Sequence, residues 1–206
     1  MKKLLLILTV IFMAVALTAC GGGDKVDIPK AQGDGAPDWA RDLDVSSFEQ
    51  ENPDYSYGVG VVTNYKTSLS DAITDAYLNA ITNIAREAQL DVAATLSSGT
   101  VRGATGSGYV EAEKYIEESV QTVSKARLRN AKRVQVWKKV KENASQGGVT
   151  IYEEVYVLVR VPKKDVLDYQ LNIAKKAKNI AAQNPEAKAV LERLQKQVET
   201  ELLEAQ

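Results

Sequence analysis

Histidine is absent from this chain of 206 residues, and cysteine occurs once, at position 20. Without histidine, the chain can form neither a Ser-His-Asp nor a Cys-His catalytic group, and it has no imidazole ligand for a metal. With one cysteine, it can form no internal disulfide, zinc knuckle or iron–sulfur cluster. Catalysis would have to depend on carboxylate, lysine or tyrosine side chains. The composition therefore favours a protein that is not an enzyme and that needs no cofactor and no metal ion.

A strong excess of charge of one sign is also absent. Lysine and arginine together number 26, aspartate and glutamate number 27, and the net charge at pH 7 is −1. Such a balance gives no overall attraction for nucleic acid, so no nucleic-acid partner is predicted. The length suits one domain of ordinary size with additions.

The first twenty residues have the pattern of a bacterial lipoprotein signal. Lys2 and Lys3 precede an apolar run over residues 4–17. That run is shorter than the roughly 20 residues that cross a bilayer as a helix, but it suits the apolar core of a signal peptide. Residues 17–20, Leu-Thr-Ala-Cys, match the lipobox, so Cys20 is predicted to be lipidated. The alternative is an ordinary cleaved signal with an incidental cysteine.

Lipidation of Cys20 would place the protein at a membrane. Several acyl chains anchor a protein stably, whereas a single chain binds only marginally. Gly21, in place of an aspartate, favours the periplasmic side of the outer membrane if the host is Gram-negative. The predicted organisation is a signal peptide at 1–19, the lipidated cysteine and a disordered tether at 20–38, an α+β domain at 39–165 and C-terminal helices at 166–206.

Hydrophobic periodicity predicts a strand and a long helix in the first half of the domain. Tyrosine and valine alternate over residues 55–63, which predicts a strand, and Gly58 and Gly60 on its opposite register indicate close approach of another element. An alanine-striped helix is predicted from Ser68, its N-cap, with Asp71 at the N3 position, to about residue 91. A flexible Gly/Ser/Thr-rich loop is predicted over residues 95–108.

The second half predicts two strands and three more helices. The elements are a weak helix at 111–124, a strand at 134–140, a turn at 143–148, a strand at 151–161 and helices at 163–183 and 186–203. A bulge in the first of these strands would reconcile Trp137 with strict alternation. Pro185 separates the last two helices, because the residue before a proline disfavours the helical region. The predicted fold is α+β, a small curled antiparallel sheet of about three strands packed by a long alanine-rich helix, with a C-terminal helical extension.

Several of these segments, in this order, resemble the LPP-twenty lipoprotein family of Gram-negative outer membranes, which includes flagellar lipoproteins. They are Pro-Asp-Trp at 37–39, the Tyr/Gly strand at 55–62, the alanine-spaced helix at 72–88 and the two strands with Val-x-Val-Trp at 134–137 and Tyr-Val-Leu-Val-Arg-Val at 156–161. The resemblance implies a small non-enzymatic α+β unit that tends to oligomerise. The Gly/Ser loop and the helical tail after residue 164 depart from the family pattern.

A basic segment is the main candidate for a binding surface. Residues 125–141 contain eight basic side chains and no acidic one: Lys125, Arg127, Arg129, Lys132, Arg133, Lys138, Lys139 and Lys141. Together they could contact an anionic surface such as phospholipid headgroups, where each charge contributes about 1 kcal/mol. The alternative is a solvated sheet face whose charges keep an edge strand from pairing.

Two further patterns, a glycine-rich segment and the apolar stripe of the final helix, are also candidate functional features. The glycines at 103, 106 and 108 lack the Lys-Ser/Thr ending of a P-loop and indicate a loop. The apolar stripe of the final helix could pack on its own domain or pair with a partner or a second copy.

Taken together, the sequence predicts a non-catalytic cell-envelope lipoprotein that acts as a structural, assembly or protein-interaction component. A flagellar structure is one candidate host. The predicted partners are the membrane, through the N-terminal lipid, and a second copy of the chain or an envelope protein complex. The alternative is a periplasm-facing module that binds a small apolar or anionic ligand between the alanine-rich helix and the sheet.

Overall fold

The structure is a computed structural model. It describes residues 35–63, 68–100, 106–119, 128, 130–145 and 148–205, with the backbone alone over 141–145 and 148–152. The predicted signal peptide, Cys20 and most of the predicted tether lie outside these residues.

The described residues form an α+β fold, as predicted. They contain three strands and six α-helices. The elements are α1 (Asp38–Arg41), α2 (Ser46–Glu51), β1 (Tyr55–Thr63), α3 (Leu69–Gly99), α4 (Ser107–Ser119), β2 (Lys132–Ser145), β3 (Gly148–Pro162), α5 (Lys163–Ile180), a short 3-10 helix (Ala181–Gln183) and α6 (Pro185–Glu204).

The three strands form one antiparallel sheet in the order β1-β3-β2. The most apolar strand, β3, is central, and β1 pairs with it from Tyr55 opposite Pro162 to Thr63 opposite Glu154. The register of β2 against β3 shifts between Arg133 and Gln135, which confirms the predicted bulge. Beyond the end of β1, β2 and β3 continue as a two-stranded hairpin.

The alanine-rich helix α3 covers one face of the sheet. Its N-terminus is capped as predicted, because the Ser68 Oγ accepts a hydrogen bond from the Asp71 backbone N–H at 3.2 Å. Its alanine stripe is fully buried and lies against β1 at the two glycines. A Cβ at position 60 would lie 1.8 Å from the carbonyl oxygen of Ala76, so only glycine permits this approach. The predicted role of Gly58 and Gly60 is therefore confirmed.

The opposite face of the sheet is covered by the segment before β1. Trp39 and Ala40 of α1 pack with Tyr57, Trp137 and Leu158, and all five are buried. The ring centroids of Phe48 and Tyr57 lie 5.5 Å apart, which places α2 on the same face. The sheet is thus enclosed on both faces by helices that are adjacent to β1 in sequence.

The last two helices join the core that α3 forms with the sheet. Buried residues from Leu167 to Leu202 belong to that same cluster. The Asn184 side chain caps α6 by accepting from the Ala187 N–H at 3.1 Å, and Pro185 begins the helix, as its position in the sequence indicates. The final helix therefore packs on its own chain.

The prediction of a flexible loop over residues 95–108 is wrong for the part of that segment that the structure describes. Helix α3 continues to Gly99, and α4 already begins at Ser107. Leu96 is buried, and Gly99 lies against Val190 of α6, with only 2.7 Å from the position of a Cβ to the Val190 side chain. Burial against the C-terminal helices outweighs the weak helix propensity of serine and glycine.

Candidate functional site

The structure tests only part of the predicted basic surface. Lys125, Arg127 and Arg129 lie outside the described residues, as does the side chain of Lys141. The other four, Lys132, Arg133, Lys138 and Lys139, lie on β2.

Strand alternation distributes these four residues over both faces of the sheet. Arg133 and Lys138 lie opposite Val159 and Val155, on the face that α3 covers, whereas Lys132 and Lys139 belong to the other face. The Lys138 Nζ forms an ion pair with the Glu153 carboxylate at 2.5 Å. Lys139 lies opposite the buried Glu154, whose carboxylate accepts a hydrogen bond from the Tyr156 hydroxyl. The described basic residues therefore do not form a single positive face, and contact with an anionic surface stays a prediction.

A groove lies along the free edge of β1, between that strand and the polar side of α3. Its volume is about 310 Å³. It is lined by Leu43, Val59, Val61, Asn79, Thr82, Asn83 and Arg86. We refer to it as the β1-edge groove.

Two asparagines of α3 cover carbonyl groups of this edge. Asn79 Nδ2 donates to the Val61 carbonyl oxygen at 3.1 Å, and Asn83 Nδ2 donates to the Val59 carbonyl oxygen at 2.9 Å. These bonds are possible because the glycines of β1 let the helix axis come close to the strand. Exposed strand edges invite pairing with other chains, and these amides cover part of this edge.

The same geometry leaves backbone donors in the groove. In an antiparallel strand, the N–H and C=O of one residue point to the same side. Since the carbonyls of Val59 and Val61 point away from β3, their N–H groups do so as well. The N–H of Tyr57, the next residue in this series, is bound by the Glu49 carboxylate at 3.2 Å. No acceptor for the other two N–H groups is found among the described residues.

Leu43 forms one wall of the groove from the linker between α1 and α2. Its φ of 56° is the only positive value at a non-glycine residue in the described chain, and its side chain is 53% exposed. This left-handed conformation costs roughly 1 kcal/mol for a residue with a Cβ. An exposed leucine held in a strained conformation contributes little to the core.

The charged groups around the groove have opposite signs. Arg86 lies in its wall and forms no ion pair with any residue that the structure describes. The adjacent Glu87 is near Glu49 and Asp91, and partial desolvation, followed by the repulsion of these two carboxylates, raises the pKa of Glu87. The groove thus offers one guanidinium to a ligand, and the three carboxylates repel one another outside its lining.

These groups equip the β1-edge groove for binding. It offers two backbone donors, two side-chain amides, a cation and an apolar surface, but its lining contains no carboxylate, lysine or tyrosine that could act as a nucleophile or base. Within the described ranges, there is also no group of three potential metal-ligating side chains. None of the described helices combines the length and apolar character that a membrane span requires.

Sequence reasoning identified the glycines that bring α3 close to β1 but missed the groove itself. Asn79 and Asn83 lie four residues apart, hence on one side of the helix, and this spacing was the available signal. No local sequence pattern indicates that Leu43 or Arg86 lines a groove. No protein-family model matches the chain, and no curated protein matches it at a significant level.

Proposed function

We propose that the protein is a lipid-anchored, non-catalytic component of the bacterial cell envelope that acts in assembly through protein–protein contacts. The observation that carries this proposal is the lipobox at residues 17–20, whose Cys20 is the sole cysteine. Residues 21–34 separate it from the described fold, so an acylated N-terminus would hold that fold near a membrane surface.

The β1-edge groove supports the part of the proposal that concerns protein contacts. Arg86, which pairs with no charged residue that the structure describes, the exposed Leu43 and the two backbone N–H groups that lack a described acceptor are groups that a protein partner can satisfy. The resemblance to the LPP-twenty lipoproteins supports the same role and suggests an outer-membrane location, with a flagellar structure as one host.

A small apolar or anionic ligand is the second candidate for this protein. Arg86 beside Val59 and Val61 favours it, because these groups could bind a carboxylate and its aliphatic chain. Against it, the approach of α3 to Gly58 and Gly60 leaves little space between helix and sheet at these positions. The groove itself lies near the lower limit of about 300 Å³ for ligand pockets.

The lipid anchor is tested by the mass of the mature protein and by fractionation of the cell. We expect the intact mass to exceed that of residues 20–206 by the mass of the added acyl groups. The Cys20→Ser variant should move from the membrane to the soluble fraction. Thr18→Ser, which keeps a small residue in the lipobox, should stay with the membrane. A mature chain without acyl mass would refute the anchor.

Assembly is tested by the size of the purified mature protein. Light scattering in phospholipid nanodiscs, together with chemical cross-linking in intact envelopes, should show a defined oligomer or a defined complex with another envelope protein. A monomer that forms no cross-links in the envelope would contradict an assembly role, and it would leave the small-ligand hypothesis as the better explanation.

A further inference from the structure

We infer that the β1-edge groove binds an extended segment of a partner protein, which adds to β1 as a further strand and carries an acidic side chain toward Arg86. This inference rests on the proposed function, since it names the class of partner that an assembly component would bind. It concerns the edge of β1 that lies away from β3, where Asn79 and Asn83 already bind two of the outward carbonyl groups.

The hydrogen-bonding groups of the groove match the backbone of an extended chain. The outward N–H groups of Val59 and Val61 are two residues apart, a separation of roughly 7 Å, which equals the two-residue repeat of another strand. Each of the two asparagines uses its Nδ2 as a donor to β1, and each keeps an Oδ1 for which no described residue supplies a donor. Donors and acceptors are therefore both present along this edge, as strand addition requires.

The side chains of the groove select the chemistry of the incoming segment. The exposed Leu43 and the partly buried Val61 give the groove an apolar surface beside the buried Val59, so aliphatic residues are expected at alternating positions. Arg86 lines the groove and forms no ion pair with a residue that the structure describes, whereas Glu49, at the same strand edge, accepts a hydrogen bond from the Tyr57 N–H. An acidic residue that reaches Arg86 is therefore favoured, and a second acidic residue close to Glu49 would be repelled.

Shape favours a strand over a small molecule. Sites for small molecules enclose most of the ligand surface, usually in pockets of about 300–1,000 Å³. The β1-edge groove is small and lies open along a strand, so a small ligand would keep much of its surface in water. A strand gains main-chain hydrogen bonds along the same edge without being enclosed.

The test uses the mature protein in phospholipid nanodiscs and two synthetic peptides with blocked ends, TVDVT and TVKVT. The first peptide should bind, and it should slow amide exchange at residues 59 and 61, whose N–H groups face the groove. The second, with lysine in place of the acid, should bind at least ten-fold more weakly, because it meets Arg86. Absence of binding by the first peptide, or protection confined to other amides, would overturn the inference.

Two variants separate recognition from folding. Arg86→Glu should reduce binding of TVDVT at least ten-fold and improve binding of TVKVT, whereas Arg193→Glu on α6, also exposed, should change neither. Leu43→Gly should weaken binding of both peptides while the protein melts at the same or a higher temperature, because glycine tolerates the positive φ.

Three other outcomes would show whether the β1-edge groove binds a small molecule or a second copy, and whether the two proposals fail together. If octanoate protects the groove and the peptides do not, the occupant is a small apolar anion and strand addition is wrong. If the protein forms a dimer that Arg86→Glu dissociates, the occupant is a second copy of the chain. The proposal that a different partner protein supplies the strand is then wrong. Loss of acyl mass on Cys20 would refute the membrane anchor but leave peptide binding unaffected, so the two proposals fail separately.

Discussion

Replacing Gly60 by alanine tests how closely α3 approaches β1. The new Cβ would lie 1.8 Å from the Ala76 carbonyl oxygen and 2.5 Å from the Ala80 nitrogen, and both are backbone atoms of the helix. Since ordinary van der Waals contact begins near 3.4 Å, the helix would have to move away by roughly 1.6 Å. No side-chain rotation can relieve this contact.

The expected cost follows from two effects. Overpacking of a tight interface costs about 1–3 kcal/mol. The same displacement stretches the bonds from Asn79 and Asn83 to β1, each contributing about 1 kcal/mol. Gly60→Ala should therefore lower the free energy of unfolding by about 3–5 kcal/mol, a large part of the roughly 5–15 kcal/mol typical of native proteins.

Urea unfolding followed by circular dichroism measures this loss, with two glycine variants for comparison. Gly58→Ala should cost less, because its Cβ meets mainly the Ile84 side chain, at 2.6 Å, which can change rotamer. Gly108→Ala in α4 should be neutral or stabilising by up to about 1 kcal/mol, since its nearest neighbours lie at 3.6 Å and alanine favours a helix. A Gly60→Ala protein with a stability within about 0.5 kcal/mol of the native one would refute the tight contact and, with it, the geometry of the β1-edge groove.

Two further predictions concern α3. Ser68→Ala removes the N-cap acceptor of the Asp71 N–H and should cost about 1 kcal/mol of unfolding free energy, whereas Ser70→Ala should cost less than half as much. Equal losses in urea melts would contradict the cap. Because the pKa of Glu87 is raised in the fold, its protonation stabilises the protein at low pH, and this stabilisation is lost as the pH rises through that pKa. Glu87→Gln should therefore increase stability at pH 7, with a smaller gain near pH 4. The exposed Glu117→Gln is the control, and a gain independent of pH would count against the carboxylate repulsion.

Local sequence patterns predicted the elements whose signals lie within a few residues. Tyr55–Thr63 alternates and forms β1 with the predicted bounds. The pair Ser68 and Asp71 marks the start of α3, and Pro185 starts α6. These signals depend on steric and hydrogen-bonding properties of neighbouring residues, so they can be recognised without knowledge of the tertiary contacts.

The errors arose where distant residues decide the structure. Residues 95–99 have a loop-like composition, yet they are helical because Leu96 and Gly99 pack into the core and against α6. The short helices α1 and α2 were not predicted, because their few apolar residues become informative only once Trp39 and Phe48 lie on the sheet.

In the candidate site, too, some features could be predicted from local sequence and others depend on tertiary contacts. The positions of Gly58 and Gly60 in the alternating strand predicted that another element approaches β1 closely. The β1-edge groove, in contrast, depends on the order of the strands in the sheet. Had β1 been central, the N–H groups of Val59 and Val61 would pair with another strand, and Asn79 and Asn83 could not reach those carbonyls.

By itself, the sequence determined the lipobox, the absence of histidine, the starts of the main helices and the alternation of the strands, because each depends on residue chemistry or on neighbours in the chain. Only the tertiary structure decided that β1 lies at an edge, that the basic residues of β2 divide between two faces and that Leu43 and Arg86 meet at one groove. These features depend on contacts between residues far apart in sequence, which local pattern does not encode.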